Sequence, residues 1–334
     1  MSGRVTIGLA GDTMLGRGVA RALRSAGPGA LFSAGVVGAA READLLVLNL
    51  ECCVSERGRP WPDPRKPFFF RAPPVAVEAL ALLGVDCVTL ANNHALDFGA
   101  EALLDTFELL EGAGIAWVGA GPEPARARAP VVVGTDGFRL GVVGFTDHPA
   151  AYAAAPGRPG VAYAELRDGL PAWVPEAVRS ADADAVLVTP HWGPNMATAP
   201  LPRTRRAAAE LLAAGATLVA GHSAHVFQGV EGRVLYDLGD FVDDYATDPD
   251  LRNDLGLLFL VTLEDAVPVR LEALPLKLEF CRTELAGGAD AAWIRRRFRA
   301  ACARLGADAR EEEGRLVVRL GDAGPQRRGP GAAA

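Results

Sequence analysis

The sequence predicts a layered α/β fold built on mixed sheet, and three observations predict it. Short apolar runs rich in Val, Leu and Ile alternate with amphipathic stretches along most of the 334 residues. Near-continuous apolar runs of this length suit strands buried on both faces. Two turn signals, Thr135-Asp136-Gly137 and Glu231-Gly232, lie between such runs and read as hairpins. Strand–helix alternation gives parallel neighbours and hairpins give antiparallel ones, so the sheet is mixed.

Strand candidates run at residues 5–10, 44–50, 85–91, 115–118, 131–133, 140–145, 185–189, 217–220, 234–238 and 255–263. Residues 73–83 read as a helix that starts at a Pro-Pro pair and stops at Gly84. Residues 99–113 place Leu103, Leu104, Phe107 and Leu110 on one stripe. Residues 202–214 open with Pro202 near the first helical position and close at Gly215. From about residue 266 the pattern changes to a strand-like segment, a basic helix near 290–304 and a last strand at 315–320. The expected division is a catalytic domain over 1–265, a small C-terminal α/β extension packed on it over 266–321, and a disordered Gly/Pro/Ala/Arg tail over 322–334.

Composition narrows the function. The net charge of -7 argues against a nucleic-acid partner, which usually meets a basic face. The local clusters Arg203, Arg205, Arg206 and Arg295, Arg296, Arg297 fall in helical patterns and read as solvated faces. Five cysteines, with no C-x-x-C spacing, read as reduced thiols of a cytosolic protein. Residues 1–10 carry no apolar signal region, and no apolar run is long enough to span a bilayer. The expectation is a cytoplasmic chain without a membrane anchor.

The polar residues of interest share one position, the carboxyl end of a strand. They are Gly11-Asp12, Asn49-Leu50-Glu51, Asn92-Asn93-His94, His191-Trp192-Gly193 and Gly221-His222-Ser223-Ala224-His225. In open α/β sheets, sites form in the crevice beyond those ends. Imidazole nitrogen with carboxylate oxygen suits Mn, Zn or Fe, and a glutamate between two cations could bridge them. Four of the five histidines sit at strand ends, which favours a site over scattered core histidines. Alternatives stay open for single residues. Asp12 could cap the following helix, and Asn92 and Asn93 could serve turns. His148 is either a loop residue or a substrate contact.

In this order the motifs resemble the CapA-like family of poly-γ-glutamate capsule synthesis proteins, related to the calcineurin-like metallophosphoesterases. The carrying residues are Gly11-Asp12-Thr13-Met14-Leu15-Gly16-Arg17, Asn49-Leu50-Glu51, Ala91-Asn92-Asn93-His94-Ala95-Leu96-Asp97-Phe98-Gly99, His191-Trp192-Gly193, Gly221-His222-Ser223-Ala224-His225 and Leu238-Gly239-Asp240-Phe241. The resemblance implies a four-layer fold, a central β-sandwich flanked by helices, with one or two divalent ions. It implies Asp12, Glu51, Asn93, His191, His222 and His225 as metal ligands, with His94 and Asp12 in the chemistry. Asn92, Arg71, His148 and Asp240 are the expected substrate contacts. Arg71 offers a fork for an anionic group, with a surface salt bridge as its alternative. The chain departs from the superfamily at three places: Met14 where a histidine is usual, Glu51 rather than an aspartate, and a His-x-x-His pair rather than His-x-His.

The implied function is hydrolysis of a phosphoester or amide in a small or peptidic anionic substrate, linked to capsule-type biosynthesis. Two other readings remain: a metal-assisted epimerase that deprotonates a Cα, and a non-catalytic accessory protein of polymer assembly.

Overall fold

Alternate side chains along the buried strands divide between separate cores. The computed structural model, which describes residues 3–135 and 137–320, shows this in Leu45–Leu50. Leu45 and Val47 enter one core, and Leu46, Leu48 and Leu50 another. Leu255–Glu264 behaves likewise: Leu257, Phe259 and Val261 face the first core, Leu258 and Leu260 the second. A strand with apolar residues on both faces must be covered on both.

The first sheet is ten-stranded among the described residues. Its central order is Val267–Glu279, Leu255–Glu264, Arg4–Thr13, Leu45–Leu50, Val85–Thr89, Ala116–Val118. Arg4–Thr13 pairs antiparallel with Leu255–Glu264 and parallel with Leu45–Leu50. The second sheet runs Val230–Glu231, Val234–Leu235, Leu218–Ala220, Ala185–His191, Phe138–Thr146, Val131–Thr135. Both hairpins expected from the turn signals are present.

The two sheets face each other across a shared core of Ile7, Leu9, Val47, Leu140, Val142, Leu187 and Leu218. Helices Arg17–Ala26, Ala34–Ala40, Ala76–Leu83 and Gly99–Gly112 cover the outer face of the first sheet through Val19, Leu23, Leu80, Leu103 and Leu110. Helices Trp173–Ser180 and Pro202–Ala213 cover the second through Val174, Val178 and Leu211. The result is the four-layer α/β sandwich that the resemblance implied. Residues 266–320 extend the first sheet, because Val267–Glu279 pairs along Leu255–Glu264. Helix Gly288–Arg304 drives Ile294, Phe298 and Cys302 into the inter-sheet core. Each such apolar side chain contributes about 1.5–3 kcal/mol on burial. Residues 322–334 lie outside the described residues.

Two local expectations change. The apolar run 131–133 suits a doubly buried strand, but Val131–Thr135 is half-exposed because it is an edge with Phe138–Thr146 as its partner. Helix Arg17–Ala26 is preceded by Gly16 with no side-chain cap, so Asp12 does not cap it.

The topology sets the site. Parallel pairing brings Asp12 opposite Asn49 in the first sheet. In the second, His191 lies opposite Thr146 and bridges to His222. The short strand Asp240–Val242 then pairs parallel with the end of Arg4–Thr13 and sets Asp240 beside Asp12. This close approach needs Gly11: a Cβ there would lie 1.9 Å from the Gly239 carbonyl oxygen.

Candidate functional site

Four ligand-type side chains converge at the strand ends. One donor atom each from Asp12, Glu51, His225 and Asp240 lies within 4.8 Å of the others. Asp12 and Glu51 are fully buried and Asp240 nearly so. His225 Nδ1 lies 2.8 Å from Asp240 Oδ1, 3.4 Å from Asp12 Oδ2 and 4.0 Å from Glu51 Oε2. The turn that carries His225 is tight, with Ser223 and His225 at φ of 108° and 59°. Asp237 holds that turn by accepting from the Ala224 and Gly239 amides.

His222 adds a second imidazole. Its Nδ1 is 3.2 Å from Asp12 Oδ1, without the alignment of a hydrogen bond. Its Nε2 meets the Thr189 hydroxyl at 3.0 Å from behind. His191 is buried, with Nδ1 3.4 Å from Asn49 Nδ2. Asn49 in turn donates to Asp12 Oδ1 at 2.7 Å, and Asn92 donates to Asn49 Oδ1 at 2.9 Å. Asn92 therefore belongs to an amide network that braces Asp12. Asn93 turns its Oδ1 into a buried position with no hydrogen-bond partner among the described residues.

His94 heads a separate group. Its Nδ1 is 2.6 Å from Asp97 Oδ2, and its ring stacks on Phe70 at 3.9 Å. Asp97 also accepts from the Phe70 amide at 2.6 Å, the Tyr152 hydroxyl at 3.1 Å and Lys66 Nζ at 2.8 Å. With its Nδ1 proton directed at Asp97, His94 is left with Nε2 to exchange a proton.

The electrostatics separate the two groups. Burial and the Asp12 charge push the Glu51 carboxyl well above its ordinary range. Burial would raise Asp12 too, but the His222, His191 and His225 rings outweigh it and hold it low. Burial opposes protonation of His225, yet Asp240, Glu51 and Asp12 raise it well above an ordinary imidazole. Burial lifts Asp240 to about 6, against the pull of His225. Burial lowers His94 to about 4 despite Asp97, and lowers His191 well below its usual value.

The remaining expected contacts stand apart. The Arg71 guanidinium stacks on Phe98 at 4.2 Å and donates to the Arg57 carbonyl at 2.8 Å, and the structure does not bring it into the cluster. His148 is half-buried, bound to Asp147, with its ring 5.3 Å from that of His191. Sequence reasoning left out Asn49, Lys66, Asp97 and Tyr152. Asn49 and Asp97 were within reach, since both lie inside the family-like motifs, Asp97 three residues after His94. Lys66 and Tyr152 sit in segments that gave no signal.

Both oxygens of buried Glu51, Oδ2 of Asp240 and Nδ1 of His222 lack a hydrogen-bond partner among the described residues. Ionising a buried carboxyl that has no partner costs several kcal/mol unless a cation compensates it, which is why both carboxyls are pushed up without one. An oxygen-and-imidazole donor set of this kind fits a divalent transition metal. The residues present therefore fit the ion that the resemblance implied.

Fold and side-chain geometry define a four-layer α/β protein with a buried carboxylate–imidazole cluster at its strand ends. The chain belongs to the bacterial capsule synthesis protein PGA_cap family, whose profile matches residues 6–245. It is 35% identical over 272 residues to a Mycobacterium tuberculosis protein described as a "probable polyglutamine synthesis accessory protein", covering 75% of this chain and 70% of that one. It is 29% identical over 283 residues to capsule biosynthesis protein CapA of Bacillus anthracis, covering 83% of this chain and 68% of that one. The crystal structure of a hypothetical protein from Thermus thermophilus shares the fold, with a TM-score of 0.50, 17% identity, and coverage of 82% of this chain and all of the other. Among the described residues no helix is long and apolar enough to cross a membrane.

Proposed function

We propose that this chain is a metal-dependent hydrolase of a phosphoester or amide bond in a small or peptidic anionic substrate, within polyglutamate- or capsule-type biosynthesis. One observation carries it: Glu51, fully buried, has two carboxylate oxygens with no hydrogen-bond partner among the described residues, in a cluster with Asp12, His225 and Asp240. The ligands are Asp12, Glu51, Asn93, His222, His225 and His191. A divalent ion held there supplies positive charge that polarises a phosphoryl or carbonyl oxygen and acidifies water.

The chain's own residues do the rest. Asp97 fixes the His94 tautomer by accepting a hydrogen bond from Nδ1, so Nε2 is the unprotonated atom: it takes a proton from the attacking water and passes it to the leaving oxygen or nitrogen. Phe70, stacked on the ring, holds its plane and keeps water off one face. Asn49 and Asn92 keep Asp12 oriented. The family relationship links this chemistry to the polymer named for its relatives.

The test has two arms. Protein purified without chelator should contain about one or two equivalents of Mn, Zn or Fe by elemental analysis. With Mn²⁺ added it should turn over a chromogenic phosphodiester, a phosphomonoester or a γ-glutamyl amide. A chain that holds no metal and ignores added Mn²⁺ and Zn²⁺ removes the reading. A metal-loaded chain inert to these substrates, but taking solvent deuterium into a peptide Cα, replaces hydrolysis by epimerisation.

A further inference from the structure

We infer that Asp240 is a direct metal ligand and that it makes one position of this centre oxygen-rich, suited to a hard divalent ion such as Mn²⁺. The inference rests on the metal reading above and assigns to Asp240 a part in it other than the substrate contact expected from sequence.

The carboxylates occupy different sides of the two imidazole rings. His222 shows the arrangement of an imidazole held from behind. Its Nδ1 faces Asp12, and its Nε2, on the opposite edge, meets the Thr189 hydroxyl at 3.0 Å. An orienting partner takes the nitrogen that points away from the ion. His225 is different. Asp240 Oδ1 approaches the same Nδ1 that faces Asp12 and Glu51. Asp240 therefore stands on the inner side of the ring, among the donors, and not behind it.

Two further observations point the same way. Asp240 Oδ2 is buried and has no hydrogen-bond partner among the described residues beyond the neighbouring Asp243 carboxyl, whose own Oδ2 is equally unpartnered. Parallel pairing of Asp240–Val242 with Arg4–Thr13 places Asp240 level with Asp12, so the backbone itself sets the two carboxylates side by side. Position 14, by contrast, offers no donor to the cluster. Met14 is packed in the outer helical core, and its Sδ accepts from the Gly16 amide at 3.0 Å. Asp240 thus supplies from the far end of the chain a donor that the first motif lacks.

The donor set is then Asp12, Glu51, Asp240 and His225, three carboxylates and one imidazole. Carboxylate oxygen suits Mn²⁺ and similar hard ions, while imidazole is shared by all the candidate metals. Three buried carboxylates crowded together also repel one another when no cation is bound.

The experiment uses the full chain stripped with chelator and then dialysed. Mn²⁺ binding is measured by calorimetry, and melting temperature is measured with and without Mn²⁺. Wild type should bind Mn²⁺ and melt higher with it. Asp240→Asn should lose at least about tenfold in Mn²⁺ affinity, the lower end of what even an indirect partner of a metal costs. Its metal-free melting temperature should equal or exceed that of wild type, because one repelling carboxylate is gone while the Asn oxygen can still accept from His225 Nδ1. Asp240→Ser, which leaves His225 a small hydrogen-bonding group, serves as the second variant if Asp240→Asn does not fold. Undiminished Mn²⁺ binding by the variant overturns the assignment of Asp240 and leaves the metal reading standing. Weaker binding joined to a lower metal-free melting temperature also overturns it, since Asp240 would then act by propping His225. Wild type that binds neither Mn²⁺ nor Zn²⁺ overturns the metal reading and this inference with it.

Discussion

Asp97 and Glu51 are both fully buried carboxylates near the same strand ends, and they are treated in opposite ways. Asp97 accepts hydrogen bonds or ion pairs from His94, Lys66, Tyr152 and the Phe70 amide. Glu51 has none on either oxygen among the described residues. A carboxylate with four donors is settled by the protein and can serve as a fixed support. One with no donor is costly as it stands, and its cost is removed by a cation. The site therefore has a side that the chain completes itself, which holds His94, and a side that matches a metal ion.

The largest expected effect falls on the catalytic side. His94→Ala should lower turnover by about 10²–10⁴-fold while keeping most of the bound metal. Steady-state kinetics and elemental analysis on the same sample check it. Metal loss equal to that of His222→Ala would place His94 among the ligands instead.

The two carboxylates should then part in stability. Asp97→Asn leaves Lys66 and His94 without their shared acceptor and should cost about 3–5 kcal/mol in chemical denaturation. Glu51→Gln should leave the metal-free protein as stable as wild type or more so, since Gln keeps the shape of the buried carboxyl without the cost of ionising it there. Similar losses in both variants would erase the distinction between them.

The pH dependence sharpens the same contrast. His94 has a pKa of about 4 in the folded chain, lowered by burial, against 6.5 for a free imidazole. The unfolded chain therefore takes up this proton first on acidification. The stability that neutral His94 contributes is complete above pH 6.5 and is lost as pH falls toward 4, by on the order of 3 kcal/mol. Denaturation of wild type and His94→Gln at pH 7 and pH 4.5 isolates this share, and parallel pH curves would contradict it.

The smallest effect concerns Lys66, which joins Asp97 Oδ1 and the Asn93 carbonyl. Lys66→Met should cost about 1–3 kcal/mol in stability and reduce kcat more than it raises KM. A variant with unchanged kcat would show that Lys66 supports only the fold.

Much of this protein was legible without its structure. Apolar runs with both parities filled imposed covered sheets, and most of the expected strands appear within a few residues of their predicted ends. The motif Gly11-Asp12, the Glu51 strand end and the His222/His225 turn could be read because each follows an apolar run directly. Parallel sheets carry such ends to one edge, so residues far apart in sequence share a pocket. The sequence also limited the donors, since its five histidines leave few ways to build an imidazole-bearing centre.

Only the tertiary structure decided which residues meet. Sequence makes Asp240 an expected substrate contact, and only the pairing of the short strand Asp240–Val242 sets it beside Asp12. A three-residue strand has too little pattern to announce itself, and its pairing depends on Gly11 and Gly239 allowing two backbones to touch. Arg71 carried the expected anion fork, but its guanidinium is taken up by Phe98 and the Arg57 carbonyl. Lys66 comes from a loop and Tyr152 from a single 3-10 turn, Ala150–Tyr152, and in such short segments side-chain direction is set by the anchors and not by any local period. Composition and periodicity determined the layers and the edge where polar residues gather. Long-range backbone contacts decided which carboxylate is satisfied by the chain and which is matched to a cation.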